Sequence, residues 1–168
     1  MRLLKSLAGL LLLALACFPA LAATLPATPT AAQQPLLALE AVELYAAPVV
    51  DAALARLEDE DRDAEGLPPR FAIPFAADIN PLAQGTWEDT AGGNRVWRLR
   101  VNSPGALSLN LGFTRFGLPE GAQLIVYAAD LSDGTRAYTA ADNAAHGELW
   151  TPVLLSDALV VELTVPAK

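Results

Sequence analysis

Apolar and polar positions alternate in short runs over the C-terminal part of the chain. In Val96-Trp97-Arg98-Leu99-Arg100-Val101, Trp97, Leu99 and Val101 share one face and the two arginines the other, which is the period of a half-buried strand. Leu107, Leu109, Leu111 and Phe113 repeat the pattern beyond the Ser103-Pro104-Gly105 turn. Ala122 to Ala128 is apolar on both faces and predicts a strand inside a sheet. Asp130-Leu131-Ser132-Asp133-Gly134 predicts a hairpin loop leading to strands at Arg136 to Thr139 and Leu149 to Leu155. In the last strand, Ala158 to Val165, Leu159, Val161, Leu163 and Val165 share a face opposite Glu162 and Thr164, and Pro166 stops it. With edge strands at Phe71 to Phe75 and Thr86 to Glu88, about seven to eight strands result, an all-β chain of the β-sandwich kind, jelly-roll or immunoglobulin-like.

The N-terminal part follows other rules. Arg2 and Lys5 precede an apolar run from Leu7 to Ala16, Pro19 and the small residues Ala20 to Ala22, the pattern of a secretory signal peptide occupying residues 1–22 and cut between Ala22 and Ala23. Pro19 interrupts the run, so no stable membrane span is expected. An alternative processing route lipidates Cys17, which follows Leu13-Ala14-Leu15-Ala16 and would make the product an outer-membrane lipoprotein. Residues 23–48 begin with Ala, Thr, Pro and Gln and read as a flexible or disordered linker, with Leu36 to Tyr45 undecided between helix and strand. Residues 49–66 predict a short helix, with Asp51 near its start, Val50, Leu54 and Leu57 at helical spacing, an acidic end and Gly66 to terminate it. Residues 67–168 form the β-sandwich module.

Charge and cysteine content narrow the classes. The chain carries 11 basic and 19 acidic residues, and loss of Arg2 and Lys5 makes the exported form more acidic still, which opposes nucleic-acid binding and favours a basic partner surface. Cys17 is the single cysteine, so after cleavage the module folds in the secreted or periplasmic space with no disulfide. One histidine, His146, and no Gly-x-Ser-x-Gly setting leave a serine hydrolase without its machinery, and zinc without its usual ligand set. Neither a catalytic residue nor a cofactor is assigned. The carboxylates from Glu58 to Glu65 lack the glycine-bearing turn of a calcium loop and read as a solvated helix end. Asp142, Asn143 and Glu148 would suit either a calcium ion or, more simply, Asx turns. The candidate contact surface is Trp87, Asp142, Asn143, His146, Glu148 and Trp150, whose tryptophans would also serve a glycan-binding or adhesion module.

A linked set of phrases adds a family. Leu57-Glu58-Asp59, Pro69-Arg70-Phe71-Ala72, Gly85-Thr86-Trp87, Val96 to Val101, Ser103 to Asn110, Gly112-Phe113, Tyr138-Thr139 with Asp142-Asn143, and Gly147 to Pro152 occur in that order. From about Leu54 onward the chain resembles the pro-region that precedes the trypsin-fold catalytic domain in secreted bacterial lysyl endopeptidases. The resemblance implies a non-catalytic region that assists folding or delays activity of a protease domain, in cis or encoded nearby. That family's triad, disulfides and substrate pocket lie downstream, so no catalytic residue carries over. Lys168 is a possible processing site for a lysine-specific enzyme.

Overall fold

The computed structural model describes residues 25–167. The signal-peptide reading, with Ala22, Ala23 and Cys17, and the processing residue Lys168 lie outside them. Among the described residues there are seven strands and one α-helix: β1 (Leu44–Ala46), α1 (Ala52–Ala64), β2 (Thr86–Asp89), β3 (Arg95–Asn102), β4 (Gly112–Phe113), β5 (Gln123–Ala128), β6 (Leu149–Trp150) and β7 (Ala158–Val165). Among the described residues the regular structure is mostly sheet, in keeping with the alternation.

Two long strands form the spine. β3 pairs antiparallel with β7 from Arg95↔Val165 to Asn102↔Ala158, and β5 continues the sheet along the other side of β7. The free side of β3 is shared: β2 pairs antiparallel with residues 95–98, and β1 pairs parallel with residues 100–102. β4 and β6 form a separate two-stranded ribbon, lengthened by the Leu109↔Leu154 bridge.

Alternation in β3, β5 and β7 places Trp97, Leu99, Val101, Leu124, Val126, Leu159 and Val161 on one face. Phe116, Tyr138 and Leu154 close over them, with Leu109, Leu111, Phe113 and Leu149 of the ribbon region at the margin. Each fully buried large aliphatic side chain contributes about 1.5–3 kcal/mol of transfer free energy. This core sits between the large sheet and the ribbon.

Several elements differ from the sequence pattern for identifiable reasons. Residues 71–75 form no strand, and Phe71 is 98% exposed. β5 ends the hydrogen-bonded order of named strands instead of lying inside it, and only isolated bridges to Gly134 and Tyr138 flank it. Its apolar character on both faces reports that both faces are covered: Leu124 and Val126 by the main core, Ile125 and Tyr127 by a second cluster with Val160, Ala27 and Leu39. Arg136 to Thr139 contributes a bridge, not a continuous ladder. Leu107 leaves the face of Leu109 and Leu111 and is exposed, because the turn closed by Ala106 N–H on the Ser103 carbonyl directs the chain away there.

Helix α1 is capped by Asp51, whose carboxylate accepts from Ala53 N and Leu54 N at 2.9 and 3.0 Å. Gly66, at φ +69°, follows its end. The acidic run from Glu58 fills the C-terminal half of the helix and reaches its C-cap at Glu65, and none of the helix residues is buried. Arg70 binds back to it: Nη1 donates to Glu58 at 2.8 Å, Nη2 donates to the Ala55 carbonyl at 2.6 Å, and Nε lies 2.9 Å from Asp59.

Residues 26–46, which combine the Pro- and Gln-rich start of the expected linker with the undecided segment Leu36 to Tyr45, lie along the back of the sheet. They contain two 3₁₀ turns, Thr30–Ala32 and Leu39–Ala41, and β1. Their anchors are chiefly polar: Ala27 N donates to the Thr135 carbonyl at 2.8 Å, and Arg100 Nε donates to the Val42 carbonyl at 2.9 Å.

Candidate functional site

The ribbon and the loop leading into it hold five of the six candidate contact residues. Thr139 opens a 3₁₀ turn, Ala140–Asp142, in a capping box with Asp142. Arg136 forks onto the same carboxylate, with Nη1 to Oδ2 at 3.0 Å and Nη2 to Oδ1, while Thr139 N donates to Oδ2 at 2.8 Å. Arg136 above all holds the Asp142 carboxyl below its ordinary range, and a backbone hydrogen bond from Thr139 adds to the effect. A cation would have to displace that guanidinium. Asn143 clamps Leu118 on both sides, Nδ2 donating to its carbonyl and Oδ1 accepting from its N–H, each at 2.9 Å. His146 Nδ1 accepts from Glu148 N at 3.1 Å, and Gly147, at φ +68°, lets its carbonyl accept from Phe116 N at 2.6 Å. Asp142, Asn143 and His146 are thus used in shaping the loop.

What the shaped loop presents is Trp150. It pairs with Gly112 across the ribbon, and a Cβ at residue 112 would lie 2.5 Å from indole Cζ3, so the ring lies against bare backbone. A side chain at residue 112 would collide with the ring in this position, and the indole is 63% exposed. Leu107, Val153 and Leu155 are further exposed apolar side chains of the same region. An exposed indole on a ribbon region that carries further exposed apolar side chains suits a contact surface.

Trp87 does not join it. Trp87 lies on β2 in the large sheet, half-buried against the main core, with Nε1 donating to the Pro81 carbonyl at 2.8 Å and Arg95 stacked 4.6 Å above its ring. The two tryptophans sit on different sheets and form no common platform for a sugar.

The strongest polar cluster is one that the sequence pattern conceals. Arg98 and Glu162, cross-strand partners on the back of the sheet, are each 1% exposed. Arg98 Nε donates to Glu88 Oε2 at 3.0 Å, and Nη2 donates to that oxygen and to the Leu37 carbonyl. Glu162 accepts from Thr30 N at 2.7 Å and from Tyr127 Oη at 3.1 Å. Burial foremost, then the Glu162 charge, pushes the Tyr127 phenol well above its ordinary 10.0. No nucleophile stands beside a base there. The adjoining hollow of about 200 Å³ is lined chiefly by Thr, Gln and Glu162 and lacks a catalytic pair. No group of His, Cys, Asp or Glu suited to a metal ion occurs among the described residues.

Residues 46–168 match the family model for the lysyl endopeptidase N-terminal domain. The chain belongs to that family. No solved structure matches it. In this lysyl endopeptidase N-terminal domain the match begins within β1 and takes in α1, the rest of the large sheet and the ribbon with Trp150, but not the residues before Ala46 that cover Arg98 and Glu162. No described helix is long and apolar enough to cross a membrane.

Proposed function

We propose that the chain is the non-catalytic pro-region of a secreted lysyl endopeptidase precursor, working as folding assistant or temporary inhibitor of a trypsin-fold catalytic domain. The family match over residues 46–168 carries this reading. Export follows from the signal pattern, with cleavage between Ala22 and Ala23, and places the mature region outside the cytoplasm. The domain acts by contact, and its contact face is the ribbon region: Trp150, seated on Gly112, enters an apolar recess of the protease, and the exposed Leu107, Val153 and Leu155 of the same region add apolar surface. The acidic surface of the pro-region favours a basic rim on that partner.

The test uses the chain from Ala23 to Lys168 with a mature lysyl endopeptidase. The chain is expected either to raise the yield of active enzyme on refolding or to inhibit the active enzyme. Trp150→Ala is expected to weaken the effect about 30-fold, the equivalent of an anchor worth ~2 kcal/mol, with little change in melting temperature. Absence of both effects at saturating pro-region sinks the proposal, and an undiminished effect of Trp150→Ala sinks the choice of face.

A further inference from the structure

We propose that residues 26–46 are a strap integral to the pro-region, so that its folded unit starts near Pro26 and not at the family boundary at Ala46. Every partner of the strap lies far along the chain. Its N-terminal turn places Thr30 N on Glu162 Oε1 at 2.7 Å and Thr30 Oγ1 3.2 Å from Thr164 Oγ1. Its middle brackets the ion pair behind the sheet: Leu37 N donates to Glu88 Oε1 at 2.5 Å, and the Leu37 carbonyl accepts from Arg98 Nη2 at 2.8 Å. Its end is held by Arg100, through Nε to the Val42 carbonyl at 2.9 Å and the backbone N–H to the Glu43 carbonyl at 2.9 Å. Val42 is buried, and Ala27 and Leu39 pack on Ile125, Tyr127 and Val160.

These contacts assign the strap a task the sheet cannot do alone. The back face carries apolar Ile125 and Val160 beside an arginine and two carboxylates; the strap excludes water from the first and supplies backbone donors and acceptors to the second. Charged side chains buried in this way require matched partners, and the requirement fixes the strap in one register. Loss of the strap uncovers the back face and releases the edge pairing of β1 with β3.

Hydrogen exchange on residues Ala23 to Lys168 tests this. The amides of Ala27, Thr30 and Leu37 are expected to be protected to a degree approaching those of β7. Thr30→Pro removes the N–H that Glu162 accepts, at the first position of a 3₁₀ turn where proline's φ is tolerated. It is expected to speed exchange at Ala27 and Leu37 at least about tenfold, while Glu162→Gln, which keeps an acceptor oxygen for Thr30 N, changes it far less. Unstructured exchange rates at Ala27, Thr30 and Leu37 beside a protected β3 and β7 would overturn the strap. Unchanged rates in Thr30→Pro overturn the role of Glu162 in holding it. If Thr30→Pro does not fold, exchange in the unmodified chain decides alone.

Discussion

Tyr127 shows how a single buried group sets a pH limit. Its phenol is dehydrated and donates to Glu162, so its folded pKa lies above its unfolded value near 10.0. The stabilisation is complete below that unfolded value and is lost as pH rises from it toward the folded one. Tyr138 is raised as well, with burial as the main cause. Absorbance titration is therefore expected to show the Tyr127 phenol ionising only with alkaline unfolding, above about pH 10. Asp142 has the opposite sign: its folded pKa is depressed, so its contribution is present above the unfolded carboxylate value and lost as pH falls through the folded one. Asp142→Asn is expected to lower the melting temperature at neutral pH, with the gap to the unsubstituted chain closing below about pH 4. Another residue is restricted by shape. Gly85, at φ +83°, leaves no room for a Cβ, which would meet Trp97 Nε1 at 2.1 Å while that nitrogen donates to the Gln84 carbonyl. Gly85→Ala is expected to cost about 3 kcal/mol in denaturant unfolding, from overpacking added to left-handed strain.

Among the elements, α1 and β3 stand at opposite ends of dependence on the rest of the molecule. The cap at Asp51 and the glycine after the end are local signals, and the helix they bound is present where they place it. The acidic residues gather in its C-terminal half, against the helix dipole, and no face is buried. Asp51→Ala is therefore expected to remove about 1 kcal/mol from the helix, seen as faster exchange of its amides, with the melting temperature of the sheet unmoved. β3 is the reverse case. Its alternation correctly assigns Trp97, Leu99 and Val101 to the core, but Arg98 and Arg100 on the other face look solvent-facing in sequence. In the structure both turn toward residues 37–43, and Arg98 is buried. The same applies to Glu162 in β7.

At the scale of the whole molecule, the two faces of the large sheet are closed by different means: the front by apolar side chains of the ribbon region, the back by a strap that joins backbone hydrogen bonds to a few apolar contacts. The candidate site was partly readable. Trp150 and its loop stand out through aromatic and Asx signals, whereas its seat on Gly112 and the separate engagement of Trp87 need the strand pairings. Sequence by itself determined the long alternating strands β3 and β7, the cap of α1 and the family phrases, because each depends on residues close together in the chain. Only the tertiary structure decided which polar side chains are buried, that β5 ends the order of named strands, and that Thr30 and Leu37 complete the cluster around Arg98 and Glu162. Alternation records which side of a strand is apolar. What covers the other side comes from residues remote in sequence, and its backbone N–H and carbonyl groups, common to nearly all residue types, leave no mark in the pattern.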